Sequence, residues 1–363
     1  MIILSDIILY AIPMTLLYWI VKNEYALAIQ IFLTATFLGF HSPISLLFLS
    51  LLSMVNYYIY HRLNWPIKIR LFISIFPIFI ILLSFKIWGS SNSIFPIGIS
   101  YYSFKLIHYC IEYYKGKITK TTFLEYLAFY FFLPVILVGP INKFQPFIKE
   151  IRKRRFDTNY ISAGFERILF GLTKMQIIGN YLITMKLTHV INNLPDNQLW
   201  LRTYLNSVKF VLNAYFQFAG FSDVAIGLSL LLGVRICENF NFPFLSTNMK
   251  EFWTKYHISL SDFCKENIYT PIASLSRKPI LGILVSMLII ATWHELSVRY
   301  ILWGILQFFG IQYLNLIKIN SNFLLRKLCQ ISTANFFIFS CIIINEETLT
   351  AALNIFKILF FIV

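Results

Sequence analysis

Long apolar runs follow one another along almost the whole chain, separated by short polar connections. A helix needs about 20 apolar residues to cross the hydrocarbon core of a bilayer, and only helices or closed barrels can satisfy their backbone hydrogen bonds there. The charged fraction is 13%, about half the ~25% of a typical soluble domain. The sequence therefore predicts an all-α integral membrane protein that crosses the bilayer several times.

Twelve segments are apolar enough to be candidate spans. From them we expect about ten or eleven membrane-embedded helices, some tilted or re-entrant, in a single polytopic domain over residues 1–363. The first segment lacks the basic n-region and the cleavage site of a signal peptide, so we expect it to be retained as a span. The candidates are 7–21, 25–40, 43–60, 69–88, 96–114, 123–138, 164–185, 204–220, 281–293, 298–317, 335–345 and 349–363.

The net charge of +15 does not indicate a nucleic-acid partner, because the basic residues sit in short loops such as 115–120 and 143–155. This distribution is typical of cytoplasmic loops that orient a protein in the bilayer and attract anionic lipids. Both loops can be cytoplasmic only if one segment between 96 and 138 turns back without crossing. The stretch FLPVILVGP, broken by Pro134, Gly139 and Pro140, is the expected turn.

The apolar character lapses over residues 233–279, where we expect an interfacial loop that contains one amphipathic helix at 250–268. Charged residues fall largely on the other side of this helix, which is typical of a helix lying at the membrane surface. The alternative is a loop helix that caps the bundle. The apolar face carries Phe252, Trp253, Tyr256, Leu260 and Phe263.

His294 ends the apolar run LGILVSMLIIATWH. Burial disfavours the charged imidazolium, so this histidine is expected to be neutral and able to accept a proton as a general base. The alternative is a histidine that bonds a nearby carbonyl or marks the interface. Glu295 and Arg299 are four residues apart with the acid first, which predicts a structural ion pair.

Three other ionisable groups are weaker candidates for function. His257, in YHISLS, is either a second functional histidine or a residue of the aqueous rim. Asp223 either orients a basic partner or caps a helix. His108 either lines a cavity or is structural. The five cysteines are scattered without metal-type spacing, so neither a disulfide framework nor a metal site is expected.

Several motifs resemble the membrane-bound O-acyltransferase family, and in particular its bacterial branch of alginate O-acetylase and teichoic acid D-alanyl transferase. The main motifs are FAGFSDVAIGLSLLLGV, ENFNFPFLSTNMKEFWTKYHISLSDFCKENIYTPI and ATWHELSVRYILWG. Two earlier ones are FPIGISYYSFKLIHYCIEYYKGKI and FFLPVILVGPINKFQPF. Together they define a family-like core at residues 95–310.

The resemblance implies a helical bundle around a central tunnel in the cell inner membrane. It implies transfer of a small acyl group, acetyl in the first place, to a hydroxyl of a cell-surface polysaccharide, with D-alanyl transfer to teichoic acid as the alternative. The co-substrate would be a cytoplasmic thioester, either acetyl-coenzyme A or an acyl-carrier protein, with no tightly bound cofactor. Periplasmic or extracellular acceptors, or accessory acyltransferase proteins, would be the partners.

The same resemblance assigns residues by matching positions. His294 matches the catalytic histidine and His257 a second histidine position, and Asn267, Asp223 and Trp293 are candidates for substrate binding. The chain departs from the family pattern at Glu295, where Gly is common, at 265–266, where Lys-Glu replaces Arg-Asp, and in lacking the C-terminal Trp-Val-Phe-Phe-Arg-Ala signature.

Three rival functions stay open at the level of sequence. The spacing of His257 and Asp262 is the H-x4-D spacing of glycerolipid acyltransferases, although residues five apart on a helix diverge by about 140°. Embedded histidines also occur along the path of a transporter or flippase. The departures from the family pattern are compatible with a non-catalytic scaffold.

Overall fold

The computed structural model describes residues 2–88, 96–118, 120–313 and 323–361. The chain forms two compact units, each built from two stretches of sequence. Unit 1 comprises Met1–Phe170 and Ser222–Cys237, and unit 2 comprises Gly171–Phe221 and Glu238–Val363. Each unit is described separately below.

The regular secondary structure of the described residues is helical, apart from one isolated β-bridge. The helix at Thr158–Asn192 widens into π-type turns over Thr173–Leu187. The helices are α1 Ile2–Ile20, α2 Asn23–His41, α3 Pro43–His61, α4 Ile67–Trp88, α5 Ile99–Tyr114, α6 Phe123–Tyr130, α7 Phe144–Lys153, α8 Thr158–Asn192, α9 Leu199–Leu231, α10 Met249–Lys255, α11 Ile258–Cys264, α12 Thr270–Ser276, α13 Pro279–His294, α14 Val298–Tyr313, α15 Phe323–Asn345 and α16 Leu349–Phe360.

The multi-pass membrane architecture expected from the sequence is confirmed. Among the described residues, five helices are long and apolar enough to cross a bilayer: Pro43–His61, Ile67–Ile87, Thr158–Asn192, Asp196–Leu231 and Phe323–Asn345. Four shorter apolar helices accompany them: Asp6–Ile20, Phe123–Val135, Pro279–His294 and Leu349–Phe360. Only 11% of the apolar window of α4 is buried, so this helix presents most of its side chains outward, as a lipid-facing helix does.

Unit 1 has a short helix followed by irregular backbone at FLPVILVGP, where the sequence predicts that the chain turns back. Helix α6 has 8 residues, or about 12 Å at 1.5 Å per residue, against about 30 Å for the bilayer core. After α6 the backbone is irregular around Pro134, and residues 131–137 are buried. Gly98 adopts φ +76°, and a Cβ there would collide with the carbonyl oxygen of Ile136. Irregular backbone at membrane depth is tolerated where protein surrounds it, as here.

The prediction of a single helix over residues 250–268, in unit 2, is wrong. Two helices, α10 and α11, lie in this region, and the helical conformation is interrupted between them at Tyr256 and His257. The break coincides with an antiparallel bridge between Phe240 and Tyr256. Because a strand-like pairing with a segment earlier in the chain replaces helical hydrogen bonds, the pattern of apolar residues alone did not reveal the break.

The apolar face of this region packs inside unit 2. Phe252 is 0% exposed, and Trp253, Leu260 and Phe263 are also buried. Lys250 and Lys265 remain exposed. The apolar side chains of this region are therefore covered by protein within unit 2, while the interfacial helix and the loop helix that caps the bundle both stay predictions.

Helices α13 and α14 of unit 2 pack closely through a glycine. A Cβ added to Gly304 would lie 2.9 Å from Cβ of Ala291 and 3.0 Å from the carbonyl oxygen of Met287. Contacts this short exclude any larger side chain without a shift of one helix. The close packing fixes the C-terminal turn of α13, where His294 lies.

Candidate active site

His294 is the last residue of α13. Glu295 then leaves the helix in an extended conformation with φ −152°, and its N–H donates to the carbonyl oxygen of Ala291 at 3.1 Å. Any residue adopts this backbone conformation, so the family's usual Gly is not required at this position. The expected ion pair is present, with 3.1 Å between Arg299 Nη2 and Glu295 Oε1.

His257 lies at the break between α10 and α11. Its φ of +46° falls in the left-handed region, which non-glycine residues seldom occupy and which is often associated with functional sites. The N–H of Ile258 donates to the carbonyl oxygen of Asn239 at 2.9 Å. Pairing with the segment at 239–241 thus stabilises the non-helical conformation between α10 and α11. His257 is buried there, with 2% exposure.

Asn239 fixes the tautomer of His257. The backbone N–H of Ser259 can only donate, and it lies 3.3 Å from the Asn239 side-chain oxygen, Oδ1. This contact orients the amide with Oδ1 towards His257, whose Nδ1 lies 3.1 Å away. An amide oxygen only accepts, so Nδ1 carries the hydrogen. In the neutral imidazole Nε2 is then left with a lone pair.

The second nitrogen of His257 is buried and has no hydrogen-bond partner among the described residues. Burial, and secondly the nearby His294, lower the pKa of His257 to about 3, since both disfavour a second positive charge. His257 is therefore neutral at physiological pH, and Nε2 can accept a hydrogen bond but has no hydrogen to donate.

Both histidines line one cavity of about 270 Å³ in unit 2. Trp293 lies beside both, with its ring centroid 6.1 Å from that of His257 and 4.5 Å from that of His294. Apart from the two imidazoles, the cavity wall is mainly aromatic and aliphatic. The remaining lining residues are Phe210, Val211, Ala214, Phe218, Trp253, Tyr256, Leu260, Tyr300, Trp303, Phe337, Cys341 and Ile344.

The expectation of a buried His294 is corrected by the structure. His294 is exposed on the cavity wall, whereas His257 is the buried imidazole. The reason is that His294 ends its helix, so no following turn covers it, while His257 is enclosed by the two segments that pair around it.

The other residues singled out from the sequence have different positions. Asn267 donates its side-chain amide to the carbonyl oxygen of Phe263 at 3.0 Å, and it is not among the residues that line the cavity. Asp223 belongs to unit 1 and pairs with Arg167, with 2.9 Å between Oδ1 and Nε. Among the described groups, the hydrogen-bond partner of His257 Nδ1 is Asn239. The structure therefore gives no support to a catalytic dyad of His257 and Asp262.

Sequence reasoning missed several residues of the cavity. Asn239 is 18 residues from His257, and nothing in ENFNF signals that its amide would orient an imidazole. Tyr300 and Trp303 were included in an apolar span and in the motif ATWHELSVRYILWG without being assigned a role, although their rings lie 6.1 Å and 6.2 Å from that of His294. Their positions follow from a helical spacing of three residues on α14, which places both on the face towards α13.

Comparison with known proteins identifies the family. The sequence model of the membrane-bound O-acyltransferase family matches residues 47–350. The chain belongs to this family. The matched region extends beyond the core at 95–310 that the motifs indicated, and it contains both histidines of the cavity.

The chain is similar to proteins named as acyl transferases of alginate, teichoic acid and peptidoglycan. The chain is 30% identical over 220 residues to a probable alginate O-acetylase of Pseudomonas aeruginosa, an alignment covering 59% of this chain and 41% of the relative. It is 30% identical over 231 residues to a teichoic acid D-alanyltransferase of Bacillus subtilis, covering 59% and 57%. A peptidoglycan O-acetyltransferase of Helicobacter pylori is 25% identical over 255 residues, covering 61% and 48%. The chain thus spans roughly half the length of these relatives.

Proposed function

We propose that this protein transfers a small acyl group from a thioester donor to a hydroxyl of a cell-envelope polymer. The observation that carries the proposal is the pair of imidazoles on the wall of one apolar cavity, of which one is fixed as a hydrogen-bond acceptor. An apolar wall excludes water and so protects a thioester from hydrolysis. The names of the relatives point to the same class of acceptor.

His294 is proposed as the general base. Proton transfer is most efficient when the pKa of the base lies near the working pH, and a group with a pKa of about 3, as in His257, is too weak a base for this role. His257 instead accepts a hydrogen bond at Nε2 from a second hydroxyl of the acceptor and so orients it, because the attacking hydroxyl has one hydrogen, which goes to His294. Its neutral tautomer rules it out as the donor to the oxyanion.

The reaction then proceeds in two steps. The acceptor oxygen attacks the thioester carbonyl carbon as its proton moves to His294, giving a tetrahedral oxyanion. The carbon–sulfur bond breaks, the ester is formed, and the thiolate takes the proton back from His294 to leave as a thiol. Positioned proton transfer of this kind contributes about 10²- to 10⁴-fold to the rate.

The donor is proposed to enter through a second, mainly apolar cavity of about 560 Å³. Trp253 lines both this cavity and the histidine cavity, so the two adjoin at its ring. Lys250 and Lys265 also line the second cavity, and both are exposed. Their charges suit the phosphates of coenzyme A or an acidic carrier protein. We place this entrance on the cytoplasmic side of the inner membrane, where thioester donors occur.

Acetyl is the preferred acyl group. A cavity of about 270 Å³ is at or just below the usual range of ~300–1,000 Å³ for ligand sites, which suits a small acyl group and a reacting hydroxyl. Among the described lining residues there is no Asp or Glu to pair with the ammonium of a D-alanyl group. D-alanyl transfer from a carrier protein stays the second candidate because a D-alanyltransferase is among the relatives.

The test uses purified full-length protein in lipid nanodiscs. Consumption of acetyl-coenzyme A, acetyl-carrier and D-alanyl-carrier thioesters is measured together with ester formation on polysaccharide acceptors. His294→Ala should lower transfer about 10²- to 10⁴-fold with an unchanged elution volume and Tm. The matched control is His189→Ala, because His189 is an exposed histidine of the same unit outside the cavity lining.

Two results would contradict the proposal. Full transfer by a correctly folded His294→Ala variant would show that His294 is not the general base. Failure of the wild-type protein to form ester from any of these donors, combined with movement of an acylated or free polymer across the membrane, would instead assign the protein to the transporters. A preference for D-alanyl-carrier over both acetyl donors would establish the second candidate.

A further inference from the structure

A third cavity of unit 2 is lined mostly by hydroxyl and amide groups. Its volume is about 460 Å³, within the range of ~300–1,000 Å³ for ligand sites. The residues that line it are Thr184, Thr203, Asn206, Ser207, Lys209, Phe210, Asn213, Asn345, Glu346 and Ile355. This polar cavity, as it is called below, contrasts with the aromatic wall around the histidines.

The polar cavity adjoins the histidine cavity. Phe210 lines both. At the end of α15, Ile344 lines the histidine cavity and the next residue, Asn345, lines the polar cavity. A molecule seated in the polar cavity is therefore separated from the space beside the imidazoles by the side chain of Phe210.

The hydroxyl groups that line the polar cavity can accept hydrogen bonds from a ligand but have no free hydrogen to donate to it. Thr203 donates its only hydroxyl hydrogen to the carbonyl oxygen of Leu199 at 2.8 Å, and Ser207 donates to that of Thr203 at 3.1 Å. Thr184 likewise donates to the carbonyl oxygen of Gly179 at 2.9 Å. Because an O–H group has one hydrogen and two lone pairs, each of these side chains is left as an acceptor.

The amide and charged groups add both donors and acceptors to the wall. Oδ1 of Asn213 is buried and has no hydrogen-bond partner among the described residues. Lys209 and Glu346 are the charged residues of the described lining, so the wall carries no net charge. Lys209 also donates to Thr188 Oγ1 at 3.2 Å. A wall of hydroxyl and amide groups without net charge matches a ligand that forms many hydrogen bonds and carries no charge itself.

We propose that the polar cavity binds the acceptor polymer through an uncharged, hydroxyl-rich segment, a neutral sugar or polyol, and directs one of its hydroxyls past Phe210 to the histidines. The proposal rests on the proposed acyl transfer and adds to it the place and chemical class of the acceptor. Because Lys209 and Glu346 together bring no net charge to the described lining, the cavity favours an uncharged segment of the polymer over an anionic one.

Two substitutions in the polar cavity test the proposal by kinetics. Thr203→Val and Ser207→Ala remove acceptor oxygens at almost constant volume, and the double variant should raise the KM for maltotetraose, a neutral acceptor, by about tenfold. Ser229→Ala is the matched control: Ser229 also donates to the carbonyl four residues earlier, at 2.7 Å, but lies outside the polar cavity.

A labelling experiment gives a readout that does not depend on activity. Asn206 is exposed and lines the polar cavity, so Asn206→Cys should react with a maleimide, and maltotetraose should slow this reaction at least about tenfold at saturation. Tetragalacturonate, an anionic tetrasaccharide, should not. Cys237 is exposed and serves as the unprotected control in the same chain.

Three results overturn the inference: an unchanged KM in the double variant while His294→Ala has lost transfer, equal protection of the introduced cysteine by both tetrasaccharides, or no protection by maltotetraose. A different result contradicts the proposed function: transfer by His294→Ala at the wild-type rate. In that case the labelling result alone decides whether the polar cavity binds a neutral polyol.

Discussion

The side-chain oxygen of Asn239 lies 3.1 Å from Nδ1 of His257, across a separation of 18 residues in sequence. The same oxygen accepts from Ser259 Oγ at 2.9 Å. These contacts hold the imidazole in one tautomer and turn Nε2 into an acceptor inside a cavity that His294 also lines. The relationship makes Asn239 a positioning residue for the proposed reaction.

Replacing Asn239 by Leu should lower acyl transfer about 10²-fold, because His257 loses the contact that fixes its tautomer and orientation. The effect should fall on kcat more than on the KM of either substrate. Single-turnover kinetics with a labelled thioester measure it. The control is Asn248→Ala: Asn248 caps α10 by accepting from the Glu251 N–H at 2.8 Å, so this variant should lose about 1 kcal/mol of stability and keep its transfer rate. Equal losses in both variants would argue for a merely structural role.

Stability should fall on acidification through the titration of His257. Its pKa of about 3 in the folded protein lies below the ordinary value of ~6.5. Between these values the unfolded state binds more protons, so the free energy of unfolding rises with pH there by at most about 1.4 kcal/mol per pH unit. The stabilisation is complete above about pH 6.5 and is lost as the pH falls towards 3. The pH dependence of Tm in nanodiscs measures this slope.

His257→Gln should flatten this pH dependence, since glutamine keeps a hydrogen-bonding group and does not titrate. His189→Gln removes an exposed histidine and should leave the slope as it is. If the wild type and His257→Gln have the same slope from pH 6.5 to pH 4, the imidazole is not held neutral by burial.

Glu295→Gly restores the residue that is common in the family and should leave kcat and KM unchanged within about twofold. The extended φ of −152° needs no glycine, and a half-exposed ion pair contributes only about 0–1 kcal/mol. Arg299→Ala should cost more, about 1–2 kcal/mol, because Arg299 Nη1 also donates to the carbonyl oxygen of Glu346. Denaturation midpoints and steady-state kinetics of the two variants separate these effects. A large loss of activity in Glu295→Gly would assign the carboxylate a role in the reaction.

Asp223→Asn should lower the stability of unit 1 by about 2–3 kcal/mol, because it breaks a largely buried ion pair with Arg167. The side chain of Asp223 is 5% exposed and that of Arg167 is 31% exposed, so the loss is smaller than for a fully enclosed pair. The folded fraction should keep the wild-type KM for donor and acceptor, in contrast to the substrate-binding role inferred from the resemblance. Glu150→Gln, which removes a pair with the exposed Lys153, is the control for Tm. A raised KM in folded Asp223→Asn would support the substrate-binding role of Asp223.

The tunnel itself, the sidedness of donor and acceptor, and the substrate-binding roles of Asn267, Asp223 and Trp293 stay predictions. Trp293 is the best placed of these three residues, since its ring lies beside both imidazoles. The amide of Asn267 is engaged within its own helical turn.

By itself the sequence determined that this protein lies in a membrane, where most of its helices are and which family it resembles. These properties depend on composition and on local order along the chain: a run of apolar residues becomes a span wherever it lies, and the Glu295–Arg299 pair follows from helical spacing alone. The tertiary structure alone decided the break at His257, the tautomer set by Asn239 and the exposure of His294. Each depends on segments distant in sequence meeting in space, and no periodicity within either segment encodes the partner it will find.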